Sequence, residues 1–509
     1  MTDDFISYRD FEDVDRILSI LPDRSEEYWL RGSLENGYKV FELLRDKIPV
    51  YKKYLLKHNI DIRSIKSPDD FHKLPIMVKE DYLKHFKFEE LLIGGPDDIK
   101  SFYMSSGSSG EPSVWPRLEI SNIAYSYFVN FYYTFYWKID KRKTLYISAL
   151  DLGVWASGNL QFHAASYCAH RHSFTFANPG ADYPYIYQTL KKLSEYYDQI
   201  IIASYPSFAR RLLDYLESKK DINIKKLNIH FMLGGEPHTV EWRQYILQKI
   251  GLPKEDLTGV MDYYGTSDSG GPGSSTPLTT LIQNLCLNDN NLCFELFNQR
   301  TVPSLFQQNP TLYVESVNGN ILVSYPGQLP LCRYDSGDTG GVLKYSEVID
   351  KLSKCGYDVL SILKKRGFYN SVWKWSFVYL TGRSDLSINI GGAIVYPRDI
   401  EGLFFSALTR NINSFKLSVE NDEEQKQRFI IYLELIPNCN LSKTETTVLK
   451  MKIKKQVMRK LLDANFDYRS SYEADRVACD PQIKICKFQK PPFDLDVGRP
   501  KPLFVRKAC

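Results

Sequence analysis

Four clusters of glycine, hydroxyl and acidic residues could do chemistry in this 509-residue sequence. The first runs Met104-Ser105-Ser106-Gly107-Ser108-Ser109-Gly110-Glu111-Pro112. Its glycines and run of hydroxyls suit neither a core nor a helix interior. Glycine tolerates positive φ, so successive backbone N–H groups there can form a nest for an anion, and seryl hydroxyls add donors to phosphate oxygens. The glycines stand too close together for a Walker-type loop, and no Gly-Lys-Ser/Thr follows. A flexible linker accounts for the same composition equally well. The second cluster, Tyr263-Tyr264-Gly265-Thr266-Ser267-Asp268-Ser269-Gly270-Gly271, directly follows a predicted strand. Open parallel sheets bind ligands at the carboxyl ends of their strands, where a hydroxyl followed by a carboxylate could hold phosphate and Mg²⁺. A capped turn is the plain alternative. The third is Arg333-Tyr334-Asp335-Ser336-Gly337-Asp338; the fourth joins Gly382-Arg383-Ser384-Asp385 to Gly391-Gly392-Ala393-Ile394-Val395-Tyr396-Pro397 and Ile400-Glu401. An aspartate can accept both ribose hydroxyls, and an arginine can reach ribose or phosphate. Each segment is also compatible with a turn closed by a salt bridge.

The elements around these clusters alternate. Short apolar runs at 144–149, 173–177, 199–203, 229–233 and 260–264 read as buried strands. Longer amphipathic stretches between them, such as 206–219 and 240–250, read as helices, so a parallel α/β sheet is expected. Residues 1–95 show apolar positions at helical spacing, and an aromatic-rich helix is predicted over 123–137. The region 271–330, rich in Asn and Pro with short β-like runs, reads as a small β subdomain. Past Gly382 a helix is expected near Pro397, then two strands around a polar turn, a lysine-rich helix at 444–463 and a last strand near 482–488. In that helix the apolar positions are periodic and the lysines fall between them, which describes a solvated face rather than a nucleic-acid surface.

Composition narrows the classes. A single core stops growing at about 250–300 residues, so more than one unit is expected. Hydrophobic residues at 43% and charged residues at 25% describe a globular chain. The net charge of +4 provides no strong field for nucleic acid or an anionic membrane. The start is acidic and lacks a secretory pattern, and no window approaches 18 uninterrupted apolar residues. Nine cysteines without a CxxC pair read as reduced thiols of a cytoplasmic protein. Neither Cys286 with Cys293 nor His170 with His172, taken as ordinary strand residues, completes a metal site.

Taken in order, these segments resemble the adenylate-forming superfamily of acyl-CoA ligases, and most closely phenylacetate–CoA ligase and its relatives. Residues 105–112 resemble that family's SSGTTGxP loop, Gly234-Gly235-Glu236-Pro237 its GxEP segment, and 264–268 its YGxTE motif. Residues 333–338 resemble YRTGD, and 382–401 the GRxDD…GxxVxPxxIE hinge region. The resemblance implies an α/β fold. A large N-terminal adenylate-forming domain (1–384), with parallel sheets and a β subdomain, would be followed by a small mobile α+β C-terminal domain (385–509). It also implies ATP, Mg²⁺ and coenzyme A, or another thiol acceptor, as cofactors. The partners implied are a small carboxylic acid and a CoA or carrier-protein thiol, with neither nucleic acid nor membrane; a homodimer is one oligomeric expectation.

Residue by residue, the resemblance assigns Ser105, Ser106, Ser108 and Ser109, with the backbone of Gly107 and Gly110, to the phosphates. Gly265, Thr266 and Ser267 fall at the α-phosphate or adenine edge, with Asp268 on Mg²⁺. Asp338 takes the ribose hydroxyls with Arg383 beside it. Glu236 and Tyr263 or Tyr264 border adenine, Asp385 is the hinge, and Gly391 and Gly392 line the pantetheine channel. Lys501 would bridge the reacting carboxylate and the α-phosphate. The implied reaction forms an acyl-adenylate from ATP and an acid, an aromatic one by the nearest resemblance, and passes the acyl group to a thiol. An amine or carrier-protein acceptor, or a nucleotide-binding pseudoenzyme, are the alternatives. Two departures favour the last: Ser113 replaces the family's lysine after the proline, with Arg117 as a candidate substitute, and Asp268 replaces a glutamate.

Overall fold

The computed structural model describes residues 5–104, 113–383, 387–390, 393–421, 427–494 and 505–506. Contacts divide the chain into two compact units. One comprises residues 1–235, 249–282 and 305–381; the other comprises 236–248, 283–304 and 382–509.

The first unit is built on an eleven-stranded mixed sheet. Its strands lie in the order Tyr313–Val317, Asn320–Tyr325, Leu331–Leu343, Phe377–Arg383, Ser304–Gln308, Gly270–Ser274, Val260–Thr266, Ile229–Gly234, Gln199–Ser204, Thr144–Ser148 and Phe174–Ala177. The five strands read from the apolar runs pair in parallel. Every residue of Thr144–Ser148 and of Gln199–Ser204 is buried. A strand covered on both faces favours apolar side chains at successive positions, so these runs do not alternate, although Thr144, Ser148, Gln199 and Ser204 at their ends are buried polar residues. At Val260–Thr266 the pairing changes, because the next strand, Gly270–Ser274, runs antiparallel to it.

The aromatic helix spans Glu119–Trp137 and buries Phe128, Phe131, Tyr132, Tyr133, Tyr136 and Trp137. It stops at Lys138, which adopts a left-handed conformation with φ 53°. In the N-terminal stretch, Ser25 accepts from Tyr28 N and caps the helix Glu26–Lys47; Pro49 then opens a second helix, Pro49–Lys57. From there to residue 98 the chain runs in short single turns instead of the continuous helix expected. Tertiary hydrogen bonds hold this stretch: Met77 N donates to Arg333 O at 3.0 Å and Asp335 N donates to Met77 O at 2.9 Å.

The region 271–330 also departs from expectation. It contains helices Pro277–Asn288 and Asn290–Phe297, and its strands join the large sheet instead of forming a separate β body. His170 closes the helix Ala156–Arg171 and is not a strand residue.

The second unit has a four-stranded sheet in the order Gln482–Cys486, Gln427–Leu435, Ile412–Asn421, Val505–Arg506. The helix Lys443–Ala464 buries Leu449, Ile453, Val457 and Leu461, one residue every four, so its lysines fall on the opposite face. Ser442 and Glu445 close a reciprocal cap at its start, with Glu445 N donating to Ser442 Oγ at 3.2 Å and Ser442 N to Glu445 Oε2 at 2.8 Å. No helix among the described residues is long and apolar enough to cross a membrane.

Candidate functional site

The Val260–Thr266 strand ends where the sheet changes from parallel to antiparallel, and the turn into Gly270–Ser274 holds Thr266, Ser267, Asp268 and Ser269. The turn is tied together by its own side chains. Thr266 Oγ1 donates to Asp268 Oδ1 and lies 2.6 Å from Ser269 Oγ. Ser269 N donates to Asp268 Oδ1 at 2.8 Å and to Thr266 Oγ1 at 3.1 Å. Gly270 follows with φ 75°, a conformation that a side chain would resist.

The long strand Leu331–Leu343 supplies the opposing groups. Burial, and the Asp268 carboxylate that accepts from it, raise the Tyr334 hydroxyl above the usual phenol range. Asp338 is buried, at 5% exposure, and Oδ2 accepts from the Tyr264 hydroxyl at 2.8 Å. Burial followed by the Asp338 charge pushes that hydroxyl well up, with Asp268 adding to the effect. One carboxylate on a strand and one in the turn thus act on the same tyrosine. Tyr264 is fixed from behind by stacking on Phe306, ring centres 5.5 Å apart. Tyr263, one residue earlier, points into a different environment: it meets Tyr125 edge-on at 5.5 Å, and Gly265 and Gly271 leave the room its ring occupies.

Arg333 has another role. It forms an ion pair with Glu315, Nε to Oε1 at 2.6 Å, donates through Nη1 to His72 O at 2.7 Å, and also donates to Leu74 O. It is 7% exposed and holds the 72–77 segment against the sheet. Asp335 is likewise committed, accepting from Gly337 N and Asn320 Nδ2, both at 2.9 Å.

The structure therefore brings Tyr264, Gly265, Thr266, Ser267 and Asp268, from one strand and the turn after it, together with Asp338 from another strand of the same sheet, and Tyr334 and Ser269, which had no expected role, complete the group. Glu236 belongs to the second unit, where with Glu241 it raises Glu401. Burial is the main cause of that shift, His238 and Lys460 oppose it, and the carboxyl is pushed up to about 7. Arg383 ends the strand Phe377–Arg383. Ser105, Ser106, Gly107, Ser108, Ser109, Gly110, Asp385, Gly391, Gly392 and Lys501 lie outside the described residues. Trp137 and Trp373 are fully buried core residues.

A divalent cation fits the donor chemistry of the turn only in part. Mg²⁺ takes oxygen ligands and is commonly held by one or two carboxylates together with substrate phosphates. Asp268 with its neighbouring hydroxyls is such a set, and no cluster of three or more His, Cys, Asp or Glu side chains suited to a metal exists among the described residues.

No family model matches the sequence, and no curated protein matches it. Solved structures do match in fold. A 2-hydroxyisobutyryl-CoA ligase in the postadenylation state with R3-HIB-AMP superposes with a TM-score of 0.63 at 12% identity, over 93% of this chain and 88% of that one. The same ligase with 2-HIB-AMP gives 0.60 at 13% identity, with coverage of 93% and 88%. Its complex with 2-HIB-AMP and CoA in the thioesterification state gives 0.51 at 13% identity, over 94% and 89%. The chain has the fold of the adenylate-forming acyl-CoA ligases.

Proposed function

We propose that this protein, which carries the acyl-CoA ligase fold, activates a carboxylic acid with ATP and transfers the acyl group to a thiol such as that of coenzyme A. The supporting observation is the Tyr264 hydroxyl held by Asp338 Oδ2 at 2.8 Å, with Asp268 in the turn that follows Tyr264 where the sheet changes direction. An organic acid with a pKa near 4–5 is already ionised at neutral pH, so the first step needs no general base. The obstacle is repulsion between two anions, and donors placed in advance are the means of lowering it.

A carboxylate oxygen attacks the α-phosphorus, the bond from that phosphorus to the bridging oxygen breaks, and pyrophosphate leaves with the electron pair. A thiol sulfur then attacks the acyl carbon, the carbon–oxygen bond to AMP breaks, and the thiol proton passes to solvent.

In this reading Asp338, oriented by the Tyr264 hydroxyl, accepts the ribose hydroxyls, and Arg383 lies beside it. Ser105, Ser106, Ser108 and Ser109 meet the phosphates with the backbone of Gly107 and Gly110, while Thr266 and Ser267 approach the α-phosphate. Asp268 would hold Mg²⁺, which when bound would supply charge neutralisation at the phosphates. Lys501 bridges the two reacting groups. The 385–509 domain turns about Asp385 between the half-reactions, and Gly391 and Gly392 admit the pantetheine arm. The acid is an aromatic one, and the free thiols of the described cysteines suit a reducing compartment such as the cytoplasm.

ATP–pyrophosphate exchange with a panel of aryl and alkyl carboxylic acids tests the reading. Acid-dependent exchange, strongest with aryl acids and followed by thioester formation on adding CoA, is expected. A folded, ATP-binding protein that exchanges with no acid in the panel refutes it.

A further inference from the structure

Arg117 lies in the short strand Val114–Arg117, paired across to Ser101 in the strand Ser101–Met104. Its side chain is only 4% exposed, and Nε has no hydrogen-bond partner. Among the described residues no carboxylate lies within ion-pair distance of it. Aromatic rings surround it instead: the guanidinium carbon sits 5.6 Å from the Tyr103 ring centre and 5.5 Å from that of Tyr325. Its charge also reaches the hydroxyls of Tyr125 and Tyr263, where it opposes the upward push of burial. Tyr103 is a second orphan, since its buried hydroxyl has no partner either. Glycines shape the wall: a Cβ on Gly270 would meet Tyr325 Cε2 at 2.8 Å, and one on Gly265 would meet Tyr263 Cε1 at 2.8 Å.

A buried guanidinium without an acid partner is strongly disfavoured, because cation–π contacts return only part of the lost hydration. Two buried donors, one of them charged, share the same deficit. What satisfies both is an acceptor carrying negative charge, and the planar fork of arginine matches the oxygens of a carboxylate or a phosphate.

We propose that Arg117 and Tyr103 form an oxyanion-binding subsite enclosed by Tyr125, Tyr263 and Tyr325. The oxyanion is a carboxylate or phosphate oxygen of a small ligand. The subsite stands on these contacts and does not require the ligase reading.

Calorimetry and thermal shift with three probes, Mg·ATP, pyrophosphate and phenylacetate, test it on the full-length protein, its Arg117→Gln and Arg117→Lys variants, and Tyr103→Phe. At least one probe is expected to bind the wild type and raise its melting temperature. Arg117→Gln should weaken that probe about ten-fold or more, the usual range for a charge-assisted hydrogen bond. Tyr103→Phe should weaken it less, and Arg117→Lys should recover part of the loss. Loss confined to ATP and pyrophosphate identifies a phosphate; loss confined to phenylacetate identifies a carboxylate.

Without ligand, Arg117→Gln should melt at or above the wild-type temperature, since it removes an unpaired buried charge. Equal binding by wild type and both Arg117 variants, binding of no probe to the wild type, or a lower melting temperature for ligand-free Arg117→Gln together with unaltered binding by Tyr103→Phe, overturns the proposal. Arg117-dependent binding without acid-dependent exchange refutes the ligase reading alone.

Discussion

Replacing Arg333 by methionine separates two readings of a motif residue that the sequence left open. If its guanidinium serves a nucleotide, the variant should stay folded and lose ATP affinity. The structure argues for the other outcome. Buried Arg333 is paired at 2.6 Å with Glu315, whose side chain is 16% exposed, and also supplies a donor to His72 O at 2.7 Å. Methionine keeps most of the volume, so the cavity contribution is small. What remains is an uncompensated carboxylate and a backbone carbonyl without its donor. Breaking a buried pair from one side costs about 3–5 kcal/mol, a large share of a typical stability of roughly 5–15 kcal/mol. Urea denaturation followed by tryptophan fluorescence should show the midpoint of Arg333→Met falling accordingly, with ATP affinity of the folded fraction changed less than about two-fold, a shift of under about 0.5 kcal/mol. In the double variant Arg333→Met/Glu315→Leu the stranded charge is gone, so about 2 kcal/mol or more should return. A single-variant cost below about 1 kcal/mol, the range of exposed pairs, would refute the argument. So would a double variant no more stable than the single one.

Tyr264→Phe removes the donor at 2.8 Å from Asp338; a hydrogen bond to a charged group contributes about 1.5–3 kcal/mol, so KM for ATP should rise about ten-fold or more, and an unchanged KM removes Tyr264 from the orienting role. Gly271→Ala would drive a methyl group into the Tyr263 hydroxyl. Overpacking of this kind costs about 1–3 kcal/mol, and Tyr263→Phe in the same chain should restore the melting temperature if the clash is with that oxygen. Glu401, pushed up to about 7 by burial and by Glu236 and Glu241 against His238 and Lys460, holds its proton in the folded state after the unfolded chain has released it. Its contribution is therefore complete below about pH 4.5 and is lost as pH rises toward 7; relative to wild type, Glu401→Gln should gain stability across that window and no further above it. His230, pushed down to about 4 by burial against Trp137, acts in the opposite sense. Its contribution is present above about pH 6.5 and lost on acidification toward 4, so the stability of His230→Phe should fall less steeply than wild type between those values.

The parallel strands were legible because a strand buried on both faces is apolar at most positions, and 199–203 and 229–233 carry one polar side chain each. The lysine-rich helix was legible from its four-residue apolar spacing. Where tertiary contacts determine the backbone, the pattern failed. The stretch near Met77 takes its path from hydrogen bonds to a strand more than 250 residues later, and no local periodicity encodes that. The helices Pro277–Asn288 and Asn290–Phe297 were hidden by Asn and Pro content that resembles loop. At the site, the turn 266–269 was visible in its hydroxyls and acid. Tyr334 gave no signal for its contact with Asp268, and Arg333 none for its role as an anchor. The rings around Arg117 come from positions 103, 125, 263 and 325, which share no spacing and meet only in three dimensions.

The second unit is assembled from three stretches of chain, and this bears on how the molecule is made. As synthesis proceeds from the ribosome, 236–248 and 283–304 are translated long before the residues that pack on them. Lys460, which reaches Glu241 at 3.2 Å, and Asp463, whose carbonyl accepts from Arg300 at 3.0 Å, are added more than 150 positions later. Until then Tyr245 lacks Phe405, its ring neighbour at 6.0 Å. The nascent polypeptide thus carries surfaces awaiting their cover for much of its elongation, and a premature stop near 382 leaves them bare for chaperones or proteases to recognise.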